Sequence, residues 1–190
     1  LVAPSSFMAG WVKEHLLGAR SAGELVVQRN CALSRNRLKS DAGRNASAER
    51  PLIYFGRLEE RKGLLLFLDA LGGLRTRPSE VVFLGGDCLI REGRRGSELA
   101  QERLKVLNLP CRFLSNLQRS EALCQLQKLQ GVVAIPSLIE NSPCVVEELL
   151  DSGLQVVTTN VGGTRELVAP ESEAWLSEPV AEAFAQHLHS

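Results

Sequence analysis

The chain has 190 residues, enough for one well-buried domain with an attached segment. Its 22 basic and 22 acidic residues balance to a net charge of zero, which argues against a nucleic-acid partner and against a polybasic membrane-binding surface. The five cysteines are odd in number and none stands in a C-x-x-C spacing. The sequence therefore favours neither a zinc site nor a disulfide framework, and it fits a reducing, cytoplasmic setting.

The first 30 residues, the N-terminal unit, are predicted to contain three short elements of secondary structure. Apolar periodicity predicts a strand, a helix and a second strand, at residues 1–3, 7–17 and 25–28. Ser5 or Ser6 is the predicted N-cap of the helix. Residues 31–50 follow as a predicted linker or mobile loop, because from Arg35 onward they are polar and lack a sustained apolar period.

From Pro51 onward, strands are predicted to alternate with helices. Short apolar runs indicate strands at residues 52–55, 80–84, 111–114, 132–135, 154–159 and 174–176. Helical spacing indicates helices at residues 64–74, 97–107, 120–129 and 179–188, with Ser97 and Ser120 as N-caps, and a short helix from Thr164. Because the strands are almost continuously apolar, this alternation predicts an α/β fold with a Rossmann-like, doubly wound parallel sheet covered on both faces.

One further helix, starting near residue 143, is predicted to create an anion-binding site at the sheet edge. Ser142 is its predicted N-cap and Pro143 its first residue, because proline lacks an N–H group that would have no acceptor there. The N–H groups of Cys144 and Val145 would then point out of the helix start, where the helix dipole adds positive potential. An anion would be stabilised at this position. Gly153 is predicted to close the helix.

Two glutamates bracket this predicted anion site. Glu140 lies in the loop before the helix, and Glu148 lies on its second turn, at the carboxyl edge of a strand where open α/β sheets bind ligands. The helical wheel places Glu147 and Glu148 on opposite flanks of the apolar face and does not choose between them. An exposed helix face is the alternative interpretation, and it suits Glu147 better.

Three motifs, taken in order, resemble those of the retaining glycosyltransferases with the GT-B fold, of the family 4 or group 1 type. The first spans residues 56–63 and the third spans residues 161–167. The second is the pair Glu140 and Glu148, separated by seven residues and preceded by a strand and Pro-Ser. Each motif alone is weak evidence, whereas the ordered triple is specific. The resemblance covers about residues 51–178 and, more weakly, residues 1–30.

The resemblance implies roles for four charged residues. Arg57 and Lys62 would stabilise a diphosphate leaving group, because fixed cations offset the negative charge that it gains as the glycosidic bond breaks. Glu148 would accept hydrogen bonds from the ribose hydroxyls of the nucleotide, and Glu140 would contact the transferred sugar beside its anomeric carbon. The alternative for the first motif is a solvated charge run, since five of the six residues 57–62 are charged.

Further donor-binding residues are implied at the same edge. Where the family usually has a Gly-rich loop, this chain has Asn141 and Ser142, whose side chains would donate in place of backbone amides. Gly86 ends a strand where the backbone can approach a ligand, and Ser115 with Asn116 follows a strand where the family usually seats the base. The full implied donor-binding set is Glu148, Asn141, Ser142, Cys144, Val145, Gly86, Ser115 and Asn116. No Asp-x-Asp motif is present, and the resemblance implies neither a metal nor a cofactor.

The implied function is transfer of a sugar from a nucleoside diphosphate sugar to an acceptor hydroxyl, with retention of the anomeric configuration. Residues 51–190 would be the C-terminal, nucleotide-sugar-binding domain and residues 1–30 the tail of an absent N-terminal acceptor domain, so this chain alone should bind donor weakly and turn over poorly. The acceptor, whether glycan, lipid or small molecule, stays open, and the full-length protein would be cytoplasmic or peripheral to the inner membrane.

Two alternative functions are a non-catalytic, GT-B-like binding or scaffolding module and a nicotinamide-binding Rossmann domain. The unusual Asn-Ser-Pro loop at residues 141–143 favours the first alternative. No G-x-G-x-x-G sequence follows the first strand of the predicted sheet, which argues against the second.

Overall fold

The computed structural model describes residues 1–17, 25–29, 50–168 and 175–188. The predicted linker at residues 31–50 lies outside this part of the chain except for Arg50, and so does Cys31. Cys88, Cys111, Cys124 and Cys144 are free thiols. Within the described ranges, no helix combines the length and the apolar character that crossing a membrane requires.

The N-terminal unit contains the three elements that the sequence predicts. Strand β1 (Val2–Ala3) pairs in parallel with β2 (Val26–Val27), and helix α1 (Ser6–Val12) lies between them in sequence. The chain continues from α1 as a π-helical turn over Lys13–Leu17. Of the two N-cap candidates, Ser5 takes the position, because its hydroxyl accepts the N–H of Met8 at 3.1 Å.

The main sheet has six strands, all parallel, and the predicted doubly wound α/β architecture is confirmed. The strands are β3 (Leu52–Phe55), β4 (Val81–Leu84), β5 (Cys111–Leu114), β6 (Val132–Ile135), β7 (Val156–Thr159) and β8 (Leu176–Ser177), in the spatial order β5-β4-β3-β6-β7-β8. The order runs outward in one direction from β3 and in the other from β6, so the topological switch lies between these two strands. Open sheets bind ligands at the carboxyl side of such a switch.

Helices cover both faces of the sheet. They are α2 (Leu64–Leu71), α3 (Gly96–Val106), α4 (Arg119–Leu129), α5 (Cys144–Asp151) and α6 (Ala181–His187). Alternate side chains of each strand enter different cores, so that Tyr54 and Phe83 pack with α2, α3 and α6, while Ile53 and Val82 pack with α4 and α5. Burial on both faces explains why the strands read as continuous apolar runs.

The predicted N-caps Ser97, Ser120 and Ser142 are wrong by one or two residues, because α3, α4 and α5 begin at Gly96, Arg119 and Cys144. In α3, the Asp87 carboxylate accepts both the N–H and the hydroxyl of Ser97, at 3.0 and 2.7 Å. Pro143 has a ψ of 92° and stands before α5 rather than within it. In α3, a carboxylate ten residues earlier in the chain therefore accepts an N–H group of the first turn, although the local sequence pattern predicts that Ser97 itself caps the helix.

Candidate functional site

The loops at the carboxyl edge of the sheet carry most of the predicted site residues. Arg57 and Lys62 follow β3, Gly86 follows β4, Asn116 follows β5 and Glu140 follows β6. Because all six strands run in the same direction, these loops emerge at one edge of the sheet. The structure thus brings residues from four separate chain segments to the carboxyl edge of the sheet, the edge at which ligands bind beside a topological switch point.

Tyr54, a core residue of β3, anchors the loop of residues 56–63. The buried Tyr54 hydroxyl lies 2.8 Å from the carbonyl oxygen of Arg57 and 3.0 Å from that of Lys62, and it donates toward both. Burial, with a smaller contribution from the negative charge of Glu59, raises the pKa of Tyr54 far above its ordinary value, so the phenol stays a donor. One side chain of β3 therefore fixes the backbone at both predicted phosphate-binding cations.

The same loop is locked against the segment that follows β6. Gly63 has a φ of +73°, and a Cβ atom there would lie 1.7 Å from the carbonyl oxygen of Pro136. Leu138 donates its N–H to the carbonyl oxygen of Arg61 at 3.0 Å. Only glycine combines this left-handed backbone with so close an approach, so the predicted first and second motifs hold each other in place.

The charged ends of these two loops form an ion pair. The ammonium group of Lys62 donates to the carboxylate of Glu140, and both side chains are largely buried, at 22% and 10% exposed. The backbone of Glu140 is in close contact with Gly162, whose φ is +57°. A Cβ atom on Gly162 would lie 1.6 Å from the carbonyl oxygen of Glu140. Glu140 is thus held by its side chain from the first motif and by its backbone from the third.

The third motif also joins the site to the N-terminal unit. The two oxygens of Glu166 accept the N–H groups of Ser6 and Phe7, both at 2.9 Å, so this carboxylate completes the N-terminus of α1. Burial raises the pKa of Glu166, but these hydrogen bonds and the charge of Arg29 lower it by more, and the net shift is downward. The third motif therefore contacts both the Glu140 loop, through Gly162, and the start of α1, through Glu166.

Arg57 occupies a more open position than Lys62. Its guanidinium is 54% exposed and pairs with Glu59 at 3.0 Å, and Arg61 contacts the same Glu59 oxygen at 3.1 Å. The Cγ atom of Arg57 lies 3.9 Å from the place that a Cβ atom on Gly86 would take. Arg57 therefore lies beside Gly86, which is in the loop that follows β4.

Beyond Gly86 lies a cavity of about 390 Å³, a volume within the usual range for small-molecule pockets. Apolar side chains form most of its wall, and its polar side chains are Asn116, Arg119 and Glu148. The complete lining is Phe55, Leu84, Gly85, Gly86, Leu114, Asn116, Leu117, Arg119, Ala122, Leu123, Val145 and Glu148. Four predicted donor-binding residues share this cavity, namely Gly86, Asn116, Val145 and Glu148.

The other predicted donor-binding residues lie outside the cavity lining. Asn141 is exposed, and Ser142 and Cys144 are half-buried in the turn before α5, where the Cys144 thiol points to the carbonyl oxygen of Ser142 at 3.9 Å. Ser115 likewise does not line the cavity, although its neighbour Asn116 does. The N–H groups of Cys144 and Val145 precede the first hydrogen bond of the helix, which Val146 donates to Pro143 at 2.9 Å.

Arg119 is a cavity residue that the sequence analysis missed. Its guanidinium binds both carboxylate oxygens of Glu148, with Nη2 2.6 Å from Oε1 and Nε 3.0 Å from Oε2. Arg119 is the first residue of α4, where the helix dipole disfavours a positive charge. That unfavourable placement is the one local signal that could have marked it as a residue with a specific partner.

Glu147 also differs from the interpretation that its position in the sequence suggested. It was the better candidate for an exposed helix face, yet it is half-buried, and its Oε2 atom is buried without a hydrogen-bond partner among the described residues. Glu148, in contrast, faces the cavity and is paired with Arg119. Packing against neighbouring elements therefore distinguishes two adjacent glutamates that the helical wheel could not separate.

Comparison with known proteins relates the chain to sugar-transferring enzymes. A family model described as glycosyl transferases group 1 matches residues 49–190. The chain is 27% identical over 191 positions to the lipopolysaccharide 1,2-N-acetylglucosaminetransferase of Salmonella typhimurium, an alignment that covers 95% of this chain and 49% of that protein. The chain thus spans about half the length of this curated relative.

Two solved structures share the fold. Sucrose-phosphate synthase from Thermosynechococcus elongatus has a TM-score of 0.73 at 21% identity, covering 98% of this chain and 47% of that one. The Anabaena protein HepE in complex with UDP-glucose has a TM-score of 0.59 at 24% identity, covering 75% and 39% of the two chains. At these identities, the likeness concerns the architecture.

Proposed function

The chain belongs to the group 1 glycosyl transferases, and from that premise we propose that it is the donor-binding part of a retaining glycosyltransferase. The proposed reaction moves a sugar from a nucleoside diphosphate sugar to an acceptor hydroxyl. The observation that carries the proposal is the cavity bounded by Glu148 and Gly86, which Arg57 borders and which shares the carboxyl edge of the sheet with Lys62 and Glu140. The substrate is the sugar nucleotide itself, and no cofactor is assigned.

The cavity is the proposed nucleoside subsite. Its apolar walls suit the faces of a base, Asn116 offers an amide for its edge, and the Glu148 carboxylate can accept hydrogen bonds from two ribose hydroxyls. The HepE structure contains UDP-glucose, and by analogy the proposed ligand here is a nucleoside diphosphate sugar of a base still to be determined.

Arg57 is the proposed diphosphate ligand. Its Cγ atom lies beside Gly86, at the edge of the cavity, and its exposed guanidinium is free to turn from Glu59 toward an incoming anion. As the glycosidic bond breaks, charge accumulates on the leaving diphosphate, and a fixed cation stabilises that charge most strongly in the transition state. The N–H groups of Cys144 and Val145 at the start of α5 would add to this stabilisation.

Lys62 and Glu140 are proposed to act at the transferred sugar and its bond to the diphosphate. In the structure, their charges neutralise each other. A diphosphate would draw the Lys62 ammonium group toward itself, and Glu140 would then be available to the sugar hydroxyls beside the anomeric carbon. In the proposed retaining mechanism, the leaving diphosphate takes the acceptor proton on the same face of the sugar, while Arg57 and Lys62 hold its charge.

The acceptor site is proposed to lie on a second domain, to which the N-terminal unit of residues 1–29 belongs. Apolar side chains of this unit face solvent, including Leu1, Val2 and Trp11, which are 69%, 67% and 43% exposed. Such a surface suits continued packing against further sheet and helix layers. Under this proposal, the chain alone binds the donor but transfers sugar poorly.

A thermal-unfolding panel with UDP, GDP, ADP and their glucose conjugates tests the donor site directly. A ligand at 100 times its Kd should stabilise the folded chain by about 2.7 kcal/mol, so one base should stand out by an increase in Tm. Glu148→Gln should reduce that increase, whereas Glu80→Gln, a glutamate paired with Arg112 on the surface at 2.8 Å, should leave it unchanged.

The absence of any Tm increase at millimolar nucleotide would contradict the proposal. Transfer is measured separately, with the full-length protein. Nucleotide binding without transfer of any sugar would support the alternative of a non-catalytic GT-B-like module.

A further inference from the structure

We propose that Arg119 determines the preference of the cavity for ribonucleotides, by holding the Glu148 carboxylate in the orientation that binds two ribose hydroxyls. The inference rests on the proposed function, since it takes a nucleoside as the occupant of the cavity. It adds a specificity-determining residue that the motifs of the chain do not include.

The geometry of the pair is the first step. The guanidinium contacts each carboxylate oxygen with a different nitrogen, at 2.6 and 3.0 Å, so the two planar groups lie edge to edge. A two-point contact of this kind fixes the rotation of the carboxylate, which a single hydrogen bond would leave free. Both residues line the cavity, Arg119 at the start of α4 and Glu148 on α5.

The exposures of the two side chains show which partner needs the contact. Glu148 is 14% exposed, whereas Arg119 is 59% exposed. A carboxylate removed from water beside an apolar wall requires a compensating donor, while a guanidinium on the rim of the cavity loses little hydration. Arg119 therefore compensates and orients the Glu148 carboxylate, even though its own place at a helix N-terminus is electrostatically unfavourable.

The chemistry of a carboxylate explains why this orientation favours ribose. An ionised carboxylate has about four lone-pair positions, two on each oxygen. Arg119 uses one position on each oxygen, which leaves one on each for a hydroxyl donor. The 2′- and 3′-hydroxyls of ribose present two such donors side by side, and a 2′-deoxyribose presents only one. With its orientation fixed, Glu148 matches the diol and leaves one acceptor unfilled when the 2′-hydroxyl is absent.

The test compares the Kd values of UDP, ADP and GDP with those of their 2′-deoxy counterparts, measured by calorimetry on the chain. The variants are Arg119→Gln, Arg119→Lys and the matched control Arg112→Gln, which removes a surface arginine that contacts Glu80 through one nitrogen at 2.8 Å. The wild type should bind the ribonucleotide about tenfold more tightly than its deoxy form, as expected for one hydrogen bond to a charged acceptor. Arg119→Gln should reduce this ratio to about twofold or below, mainly because the affinity for the ribonucleotide decreases.

The lysine variant separates orientation from charge. Arg119→Lys retains the positive charge but cannot form the two-point contact, so its ratio should fall nearly as far as that of Arg119→Gln. Arg112→Gln should keep the wild-type ratio. In the double variant Arg119→Gln/Glu148→Gln, the ratio should not fall below that of Glu148→Gln alone, because both changes act on the same interaction.

Three results overturn the inference. An unchanged ratio in Arg119→Gln and Arg119→Lys, with nucleotide still bound, contradicts it and leaves the proposed function standing. An equal loss of affinity for ribo- and deoxyribonucleotides means that Arg119 acts only as a cation toward the phosphates. Failure of the wild type to bind any of the six nucleotides refutes the proposed function itself. Unfolding midpoints without ligand establish that each variant is folded, and if Arg119→Gln is not, the Arg119→Lys ratio decides.

Discussion

Lys62 donates a hydrogen bond to Glu140, a partner 78 residues later in the chain, and this contact joins the first and second motifs of the site. Among the described residues, Arg57 with Glu59 and Arg119 with Glu148 are further ion pairs that involve the proposed donor-site residues. Each of the charged residues that we assign to the donor site therefore has an oppositely charged neighbour within reach. A ligand carrying both negative charge and hydroxyl groups can replace these partners, and for that reason the arrangement fits a sugar nucleotide.

The first prediction concerns the energy of the Lys62–Glu140 pair. Lys62→Met should lower the free energy of unfolding by about 2 kcal/mol, because it leaves a largely buried carboxylate without its donor. In a double-mutant cycle with Glu140→Gln, measured by denaturant unfolding, the coupling energy should be about 1–2 kcal/mol.

The matched control for this cycle is the pair Arg103 and Asp69, which lie 3.4 Å apart and are both about half exposed. Its coupling energy should not exceed about 0.5 kcal/mol, as is usual for exposed ion pairs. Equal coupling in the two cycles would show that burial adds nothing to the Lys62–Glu140 contact.

The second prediction uses two glycines with similar backbone angles. Gly162→Ala should lower the free energy of unfolding by about 3 kcal/mol, because its Cβ atom would meet the carbonyl oxygen of Glu140 at 1.6 Å while the backbone keeps a φ of +57°. Gly93→Ala should cost only about 1 kcal/mol, because its φ is +71° but a Cβ atom there would have no described residue within 4 Å apart from its two neighbours in sequence. Similar losses in both variants, measured by denaturant unfolding, would mean that strain in the backbone outweighs the close approach to Glu140.

The third prediction concerns the anchor beneath the first motif. Tyr54→Phe should lower the free energy of unfolding by about 1–2 kcal/mol, since it removes the hydroxyl that donates toward the carbonyl oxygens of Arg57 and Lys62. Hydrogen exchange should accelerate at the amides of Lys62 and Gly63, which close the turns of this loop.

The amides of β7 provide the internal reference for this exchange experiment, because that strand lies two positions away from β3 in the sheet. Uniform acceleration over β7 and the loop would indicate global destabilisation instead of a local anchor. Unchanged exchange rates in the loop would mean that its contacts with the segment after β6 are sufficient to hold it in place without Tyr54.

The fourth prediction is a pH dependence at Glu166. Because its pKa in the folded chain is lowered from the ordinary 4.5, the carboxylate contributes stability above that value and loses the contribution as the pH falls through the folded pKa. Glu166→Gln should therefore lower the free energy of unfolding by about 1 kcal/mol at pH 7, as for the loss of a helix cap, and the difference from the wild type should shrink below about pH 4.5.

Glu14→Gln is the control, because it removes a carboxylate that is 78% exposed. It should change stability by less than about 0.5 kcal/mol at either pH. A difference between wild type and Glu166→Gln that stays constant down to pH 3 would show that the ionised form is not what completes the start of α1.

The local pattern of the chain determined the strands and the class of fold. The runs at residues 52–55, 111–114 and 132–135 match β3, β5 and β6 to the residue, because each is short, apolar and bounded by residues that stop a strand. The alternation of these strands with helices was sufficient to predict a parallel sheet and, with it, the edge at which the motifs gather. The sequence signals for these features lie within a few residues of the features themselves.

Only the tertiary structure decided which charges meet. The α3 start depends on Asp87, ten residues away from Ser97, and the orientation of Glu148 depends on Arg119, 29 residues earlier. Adjacent Glu147 and Glu148 differ only in what packs around them. Secondary structure follows from interactions between near neighbours in sequence, whereas ion pairs, buried carboxylates and cavities arise from segments that meet only once the sheet has assembled.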